Sequence, residues 1–465
     1  MSLKRVVLEQ AVRIAKQDKQ IAKLKAQLKD ALEKIEKYEK NSSTSSKPPS
    51  SDIVKPPKPK GKGGRKRKIG AQKGHKAHQR QPFPSDQIDL TVEVKLDACP
   101  KCNGKLVVTE QSPKIYQQVE LVNRTYIITE YFCLYSHCEH CQRQFVAKRP
   151  PEMKSGLFGP NLIAATAYMK SHDHMSYTTL RDHFRNLYGI CVSTGFLAKQ
   201  IRKVSDALEK PYEELLAQLP KEPHHHIDET GHKENGKLGW TWCFRAPKFT
   251  LFHINKSRGS VVLKKLLGKD YAGIISCDYL GAYRKFARKS KARLQHCFAH
   301  LIRDVKYLVK RKVRKVSNYG KRLLSAIEKM FSTIHREDEY KLKENWIRRM
   351  YCHREEILKI AWHRLPDDND AINIAVRLWN KQEDYFRFID SGLQPTNNLA
   401  EQSIRRVVSD RKITQGTRSD WGNRWQERIW SVLSTCAQSG TNVLTFLRDA
   451  VAALLCGSTT PKILK

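Results

Sequence analysis

The stretches His226-Ile-Asp-Glu-Thr230 and Gly273-Ile-Ile-Ser-Cys-Asp278 decide the fold. Each is a short run with apolar residues that ends in acids, which predicts two buried strands with Asp228 and Asp278 at their ends. Acids at the ends of neighbouring strands meet at one edge of a sheet. We therefore expect these two carboxylates to lie close together.

The segments between and after these stretches predict the rest of the sheet. Residues 239–244 and 250–254 have strand composition, residues 261–267 predict a short helix, and residues 292–297 predict a strand leading into a helix from about Ala299. Three strands, a helix, and then strands and helices is the element order of the ribonuclease H-like fold. The predicted fold class is therefore α/β, with an RNase H-like core.

A long segment without strand signals interrupts this core. Residues 306–392 are basic, include the run of cations at 310–315, and predict a helical insertion. Further helices are predicted at 397–412, 425–435 and 441–456.

A third acid, Glu401, lies on the predicted helix after the insertion. Three carboxylates at one sheet edge can hold two Mg²⁺ or Mn²⁺ ions, which prefer oxygen ligands. Such an ion pair activates a water or a 3′-hydroxyl and stabilises the leaving oxygen in phosphoryl transfer. Any one acid alone would be uninformative, but Asp228 and Asp278 share strand-end positions.

Cations follow Glu401 along the same helix, at Arg405, Arg406, Arg411 and Lys412. Arg405 lies one turn after Glu401, so its guanidinium shares that helical face and is predicted to hold a DNA phosphate. An ordinary charged helix is the alternative interpretation.

The composition indicates a polyanionic partner. The 465 residues contain 86 Lys and Arg against 47 Asp and Glu, a net charge of +39, which predicts binding to double-stranded DNA. No apolar run is long enough for a membrane span, and no signal-peptide segment follows the start, so we expect a cytoplasmic, nucleoid-associated protein. In that compartment the 12 cysteines are expected to be thiols or metal ligands.

Apolar residues recur every seven positions near the start of the chain, at Val7, Ile14, Ile21, Leu28 and Ile35. This heptad predicts a coiled coil over residues 1–40 and hence a homo-oligomer. A single surface helix packed on the body of the same chain is the alternative.

The Ser- and Pro-rich residues 41–88 predict a flexible linker. It contains a basic arm with glycines, which we expect to contact DNA without sequence specificity; a solvated charged tail is the alternative. The arm includes Arg65, Lys66, Arg67 and Lys68.

Two CxxC pairs predict a zinc ribbon over residues 89–150. The pairs are Cys99 with Cys102 and Cys138 with Cys141. Two thiolate pairs close a tetrahedral site for structural Zn²⁺, and the metal would stabilise a segment with little core of its own. Four buried free thiols are the alternative, and His137 or His140 can compete as a ligand. Short strands are predicted here at 90–94, 118–122 and 125–129.

Residues 151–222 predict helices, one of them at 162–169 and two more at 177–188 and 193–204, separated by Gly189. Ser193 or Thr194 is expected to cap the last of these helices. The pair is typical of a helix-turn-helix, but two packed helices without DNA contact fit equally well. The cations that would face DNA are Lys199, Arg202 and Lys203.

Other residues have useful chemistry but a simpler explanation. The run His224–His226 alternates between both faces of a strand, so we do not expect it to bind metal. Glu229 faces away from Asp228 if the strand persists. Cys297 and His300 lie one helical turn apart and can share a metal, although packing behind the site as supporting residues is favoured. Trp240, Trp242, Trp425 and Trp430 are expected to pack in the core. Trp421 is expected in a loop, where it can stack on a base.

The motifs resemble those of the DDE transposases of the insertion sequence sixty-six type. The matching strings are Asp228-Glu-Thr-Gly231 with Asn235-Gly-Lys-Leu-Gly-Trp240, Asp278-Tyr-Leu-Gly-Ala-Tyr283, Cys297-Phe-Ala-His300 with Arg303, and Asn397-Asn-Leu-Ala-Glu401-Gln-Ser-Ile-Arg405 with Arg411-Lys412. With the coiled coil, linker and zinc ribbon, the resemblance extends over nearly the whole chain.

The resemblance implies a bacterial DNA transposase whose catalytic, Mg²⁺-binding acids are Asp228, Asp278 and Glu401. In the scheme of that family, water cleaves the end of the element, and the freed 3′-hydroxyl attacks target DNA. Some members also use accessory proteins encoded by the element. A DNA-binding regulator with an inactive core and a metal-dependent nuclease without strand transfer remain as rival interpretations.

The predicted segments are a coiled-coil helix (1–40), a basic linker (41–88), a zinc ribbon (89–150), a helical DNA-binding region (151–222), the first part of the catalytic core (223–305), a helical insertion (306–392), the second part of the core with Glu401 (393–440), and a C-terminal helix and tail (441–465).

Overall fold

The computed structural model describes residues 156–340 and 342–464 and, before them, only parts of residues 10–31, 84–91 and 126–146. The chain divides into two units, Lys58–Phe132 on the one hand and Met1–Pro57 with Cys133–Lys465 on the other. The predicted basic arm, and with it Arg65, Lys66, Arg67 and Lys68, lies outside the described residues, as do Cys99, Cys102 and Cys141.

The described residues between 10 and 31 are helical, as the heptad predicts. The apolar side chains of this helix are 48–61% exposed: Ile14, Ile21, Leu24 and Leu28. A coiled coil buries such a stripe against a second helix. The helix is therefore confirmed where it is described, and the coiled coil stays a prediction.

In the described residues of the unit Lys58–Phe132, a short turn of 3₁₀ helix lies at Ser85–Gln87. Thr91 and residues 126–130 are irregular, so the strand predicted at 125–129 is wrong over residues 126–129. The side chains of Ile127 and Ile128 are 91% and 72% exposed. Strand composition alone does not make a strand when no partner strand covers the apolar side chains.

A small hairpin precedes the main body of the structure. It consists of the antiparallel strands β1 (Tyr135–Cys138) and β2 (Arg143–Val146), and its register pairs Cys138 with Arg143. The second CxxC pair thus begins at the last residue of β1.

Four helices follow: α1 (Pro160–Ser171), α2 (Tyr177–Tyr188), α3 (Thr194–Ala207) and α4 (Glu209–Gln218). α2 has the predicted bounds because Gly189 adopts a left-handed conformation, with φ at 66°, and ends it. The Ser193 hydroxyl accepts the Phe196 amide at 3.0 Å and caps α3 as predicted. The apolar faces of these helices belong to the same core as the sheet that follows.

The central sheet has five strands in the order β5-β4-β3-β6-β7. The strands are β3 (His224–Glu234), β4 (Lys237–Arg245), β5 (Thr250–Asn255), β6 (Ile274–Cys277) and β7 (Arg293–His296), with the short helices α5 (Ser260–Leu267) and α6 (Gly281–Ala287) between the last three. β3, β4 and β5 are antiparallel, whereas β6 and β7 run parallel to β3. The α/β class and the strand positions are confirmed.

One strand is longer than the sequence indicates. β3 continues past Asp228 to Glu234, so the prediction that Asp228 ends this strand is wrong. The reason is a tight hairpin in which Asn235 and Gly236 adopt φ of 48° and 78°, and Glu234 pairs with Lys237. The antiparallel partner β4 extends β3 well beyond the point where its parallel partner ends.

Six helices follow β7: α7 (Phe298–Val309), α8 (Arg314–Ile334), α9 (Lys343–Trp362), α10 (Asn369–Asn380), α11 (Gln382–Phe386) and α12 (Phe388–Ser391). Their apolar side chains form a second buried cluster, separate from the core around the sheet. The described residues of this segment contain no strand, as predicted.

Three helices end the fold: α13 (Asn398–Thr414), α14 (Asp420–Ser439) and α15 (Val443–Cys456). α14 covers the outer edge of the sheet. Thr435, Ser431 and Glu427 accept the backbone amides of alternate β5 residues at 3.2, 2.9 and 2.6 Å. Four residues of helix rise about as far as two residues of strand extend, so the two spacings match. The edge amides are thereby satisfied inside the protein.

Among the described residues, no helix is both long and apolar enough to span a bilayer.

Candidate active site

The parallel pairing of β3 with β6 brings the first two acids to the same level. His224, His225 and His226 pair with Ile274, Ile275 and Ser276, a constant offset of 50 residues. The same offset relates Asp228 to Asp278, which directly follows β6. Both side chains lie just beyond the last parallel pair, and both residues are half-buried.

Glu401 approaches from the first turn of α13. The residue before this helix, Asn397, is 1% exposed and fixes its position. The Asn397 side-chain amide donates to the carbonyl oxygen of Ile227 at 2.7 Å, and its backbone amide donates to the sulfur of Cys297 at 3.1 Å. The start of α13 is thus fastened to β3, one residue before Asp228, and to the start of α7.

The three acids interact electrostatically. Burial is the largest cause that raises the pKa of Asp228 well above its usual range, and the charges of Glu229, Asp278 and Glu401 raise it further. The hydrogen bond that Asp228 accepts from the Glu229 backbone amide, at 3.0 Å, opposes this rise.

Arginines partly balance the other two acids. Burial raises the pKa of Asp278, opposed by the Leu280 amide at 2.8 Å and by Arg258 and Arg303. Burial likewise raises the pKa of Glu401, opposed first by Arg303 and then by Arg405. Arg405 therefore acts on Glu401 as their one-turn spacing predicts.

This donor set fits a hard divalent cation. Asp228, Asp278 and Glu401 offer carboxylate oxygens, the ligands that Mg²⁺ and Mn²⁺ prefer. Buried like charges that raise the pKa of one another are stabilised when a cation binds between them. The site thus has an unbalanced negative charge of the kind that such an ion neutralises.

Glu229 lies on the other face of β3, as predicted, where it has partners of its own. It is 8% exposed, accepts the Tyr283 hydroxyl at 2.5 Å and forms an ion pair with Arg258 at 2.9 Å. Burial and the charge of Asp278 raise the pKa of Glu229 to about 7. Arg258 also stacks on Trp240, with 4.4 Å from the guanidinium carbon to the ring centroid.

The predicted supporting residues Cys297 and His300 lie next to Glu401. A possible ligand atom of each of the three lies within 4.8 Å of the others. Arg303, one turn after His300, places its guanidinium 3.2 Å from His300 Nε2 and 3.4 Å from the Glu401 carboxylate. Burial lowers the pKa of His300 to about 3, so this imidazole is neutral.

The cations predicted to contact DNA differ in their surroundings. Lys199, Arg405 and Lys412 are exposed. Arg202 lies over the Trp421 ring at 5.1 Å, and Lys203 donates to Gln200 at 3.3 Å. Arg406 is half-buried.

Arg411 stands apart from these cations because it already has partners inside the protein. Its guanidinium donates to the carbonyl oxygen of Gly231 and, at 3.1 Å, to the hydroxyl of Thr230. These bonds compete with the DNA contact predicted for Arg411.

The aromatic residues follow the packing interpretation with one correction. Trp242 and Trp430 are fully buried, and Trp425 is 7% exposed. The prediction that Trp421 lies in a loop is wrong. Trp421 lies in the first turn of α14, where the Ser419 hydroxyl caps the helix. A serine in a Gly- and Ser-rich segment can cap a helix as well as form a loop.

The side chains of the histidine run His224–His226 are held by partners inside the protein. His225 Nε2 donates to the carbonyl oxygen of Leu219 at 2.8 Å, and His226 Nδ1 lies 3.1 Å from the side-chain oxygen of Asn397. Burial lowers the pKa of His224 to about 3 and that of His225 and His226 to about 4. These imidazoles are neutral and hold β3 against its neighbours.

Sequence reasoning gave no role to Asn397, Arg258 or Arg303. Arg303 had a usable signal, because it lies three residues after His300 on one helical face. Asn397 had only its place at the start of a matching string, and Arg258 had no signal, since their partners lie about 170 and 29 residues away in sequence.

Comparison with known proteins identifies the family of this chain. A family model described as the Transposase IS66 family matches residues 155–424, more than half of the chain, and includes all three acids. A family of unknown function (DUF6444) matches residues 7–81. An uncharacterized protein, y4jD, of Sinorhizobium fredii is 24% identical over 411 residues, which cover 80% of this chain and 78% of that protein. The chain therefore belongs to the IS66 family of transposases.

Proposed function

We propose that the protein is a DNA transposase that cleaves the ends of an insertion sequence and joins the freed 3′-hydroxyl to target DNA. The observation that carries this proposal is the convergence of Asp228, Asp278 and Glu401, which come from three separate segments. The charges of Asp278 and Glu401 raise the pKa of Asp228, and the charge of Asp278 raises that of Glu401. The sheet order β5-β4-β3-β6-β7, with an antiparallel half and a parallel half, supports an RNase H-like core.

In this proposal, Asp228, Asp278 and Glu401 hold two Mg²⁺ or Mn²⁺ ions. Bound there, the ions would supply Lewis-acid activation of the attacking oxygen and stabilisation of the leaving oxygen. The protein groups orient the reactants: Asn397 holds the Glu401 helix against β3, and the carboxylates keep their positions through the Leu280 and Glu229 amides. The proposal needs no covalent enzyme intermediate, so no Ser or Tyr nucleophile is assigned.

Cations around the acids are proposed to hold the DNA backbone. Arg258 and Arg303 lower the pKa of Asp278, and Arg405 lowers that of Glu401, so all three lie near the carboxylates. Their guanidinium groups can bind the phosphates that flank the reacting one. The exposed Lys199 and Lys412 are proposed to extend this contact along the duplex.

The remaining segments are proposed to serve end recognition and assembly, with the boundaries given above. The coiled coil (1–40) would join protomers so that two element ends are processed in one complex. The linker and its basic arm (41–88), the zinc ribbon with Cys99, Cys102, Cys138 and Cys141 (89–150) and the helices of 151–222 would bind DNA. Structural Zn²⁺ in the ribbon is part of this proposal.

Strand transfer with purified protein tests the proposal. The assay contains Mg²⁺, a labelled duplex that carries the element end, and a target plasmid. Wild type is expected to join the end to the plasmid, whereas Asp228→Asn, Asp278→Asn and Glu401→Gln bind the duplex without joining it. Asp270→Asn is the matched control, because Asp270 is exposed and lies in the same α/β segment.

Other outcomes separate the rival functions. Binding without cleavage by wild type would favour a regulator with an inactive core. Cleavage without joining would favour a nuclease. Joining by any of the three acid variants would show that the acid concerned is not catalytic.

A further inference from the structure

Cys297, His300 and Glu401 form a cluster of mixed ligand chemistry beside the three acids. Cys297 directly precedes α7, His300 lies in its first turn, and Glu401 lies in the first turn of α13. One sulfur, one ring nitrogen and one carboxylate oxygen all lie within 4.8 Å of one another. In the part of the chain that the structure describes, no other group of three such residues is this close.

The spacing suits a tetrahedral transition-metal ion. Zn²⁺ binds sulfur, nitrogen and oxygen at 2.0–2.3 Å, which places neighbouring ligand atoms about 3.5 Å apart. His300 Nδ1 already lies 3.6 Å from the Glu401 carboxylate, too far for a hydrogen bond. This nitrogen is buried and has no hydrogen-bond partner in the structure. Arg303 donates to Nε2, so the neutral ring carries its proton on Nδ1. When Arg303 is displaced, that proton can move to Nε2, and Nδ1 can then bind an ion that lies between the two atoms.

The sulfur of Cys297 is held in a position to complete the set. The Asn397 amide donates to it at 3.1 Å, and the backbone amides of Ala299 and His300 also bond to it. Burial raises the pKa of the Cys297 thiol to about 11 and these amide bonds only oppose that rise, so an ion that binds the sulfur displaces its proton.

We propose that Cys297, His300 and Glu401 bind a single transition-metal dication of the Zn²⁺ class, and that this ion inhibits the enzyme by withdrawing Glu401 from the Mg²⁺ site. The inhibition, but not the binding, rests on the proposed function. Thiolate and imidazole ligands favour Zn²⁺ over Mg²⁺, so a small amount of the softer ion competes with abundant Mg²⁺.

Arg303 sets the affinity of this site. Its guanidinium lies 3.4 Å from the Glu401 carboxylate and 3.2 Å from His300 Nε2, so it supplies positive charge where the ion would add two more. The ion must displace it, because like charges at such distances repel strongly in a partly buried site. The Arg303 side chain is 26% exposed, so part of it already faces solvent.

Cobalt titration of the full chain tests the binding. Co²⁺ replaces Zn²⁺ at thiolate sites and gives a sulfur-to-metal absorption band. Metal-free wild type is expected to take up one more equivalent of Co²⁺ with this band than Cys297→Ser. The difference between the two proteins does not depend on what other cysteines bind. Cys191→Ser is the matched control, since Cys191 is exposed and outside the cluster.

Two further variants guard against a folding defect in Cys297→Ser. His300→Ala changes a partly exposed residue and is expected to weaken the Co²⁺ affinity of the same site by more than about tenfold. Arg303→Gln is expected to strengthen the Co²⁺ affinity of the site by about tenfold or more, because the repelling charge is removed. A purely structural cluster would not give tighter binding when Arg303 is replaced.

The outcomes separate the site from the function. Equal Co²⁺ uptake by wild type, Cys297→Ser and His300→Ala would overturn the site. Binding that depends on these residues, together with inhibition of Mg²⁺-supported joining by micromolar Zn²⁺, would support the whole proposal. Binding without inhibition would overturn the regulatory part alone. Joining by Glu401→Gln would overturn the catalytic role of Glu401, and with it the regulatory part. Failure of wild type to join the end in Mg²⁺ would overturn the proposed function and leave the spectroscopic result standing.

Discussion

The side-chain amide of Asn397 donates a 2.7 Å hydrogen bond to the carbonyl oxygen of Ile227, across 170 residues of sequence. This bond joins the start of the helix of Glu401 to the strand of Asp228. Since both groups are buried, replacing Asn397 leaves a carbonyl oxygen without its donor inside the protein. The bond therefore links the stability of the fold to the geometry of the site.

Asn397→Ala is expected to lower the free energy of unfolding by about 2 kcal/mol, because a buried acceptor loses its partner. Strand transfer should fall by about 100-fold, since a displacement of about 1 Å at Glu401 disrupts the alignment of reacting groups. Urea unfolding and the joining assay measure the two effects. Asn398→Ala changes the exposed neighbour and should alter neither. Wild-type joining by Asn397→Ala would contradict the positioning role.

Divalent cations are expected to stabilise wild type more than Asp228→Asn. Without the ion, the buried acids repel, which is why the pKa of Asp228 is raised; the neutral amide removes that repulsion. Asp228→Asn should therefore unfold at an equal or higher temperature than wild type without Mg²⁺. With Mg²⁺ at a hundred times its dissociation constant, wild type gains about 2.7 kcal/mol. Thermal melts with and without Mg²⁺ measure this, and an equal gain in both proteins would count against Asp228 as a ligand.

The raised pKa of Glu229 predicts a pH-dependent stability. Its pKa rises from 4.5 to about 7 on folding, so the folded state keeps a proton that the unfolded state loses. The contribution of Glu229 to the free energy of unfolding is largest below pH 4.5. It declines by on the order of 3 kcal/mol as the pH rises to about 7. Urea unfolding at pH 5 and pH 8 should show a smaller decline for Glu229→Gln than for wild type. Glu213→Gln, at an exposed residue, should match wild type.

Arg411 and Lys412 are neighbours with different expected roles. Arg411→Ala should cost about 2 kcal/mol of stability, because its guanidinium bonds to Gly231 and Thr230 are lost. Lys412→Ala should change stability by less than about 0.5 kcal/mol but weaken DNA binding and reduce the salt dependence of the binding constant by about one ion. Unfolding curves and binding at several salt concentrations distinguish them. A reversal of the two results would move the DNA contact to Arg411.

The exposed stripe of the N-terminal helix predicts self-association. Ile14→Asp together with Ile21→Asp should convert an oligomer into monomers, because charges in the seam of a coiled coil cannot be buried. Sedimentation velocity measures the change. Lys16→Asp with Lys23→Asp, on the same helix but outside the seam, should leave the oligomer intact. A monomeric wild type would rule out the coiled coil.

The α/β core could be predicted from the sequence because its strands are short apolar runs with clear ends. An example is β6, which ends just before Asp278. The end of β3 could not be predicted from the sequence, because an Asn-Gly hairpin and pairing with β4 extend this strand past Asp228. The acids were predictable from the strand-end pattern at Asp278 and from the resemblance. The groups that position them were not, since Asn397 acts across 170 residues and no local periodicity encodes such a contact.

The insertion lies between the second and third acids in the sequence, which fixes the order in which the site is completed during synthesis. Asp228 and Asp278 leave the ribosome before helices α7–α12, and Glu401 leaves after them. At roughly 5–20 residues per second, Glu401 follows Asp278 by on the order of ten seconds. Under the proposed function, a nascent chain in that interval has its N-terminal DNA-binding segments but lacks one catalytic ligand. Translation fragments that stop within the insertion would then bind element ends without cutting them, and would compete with finished enzyme.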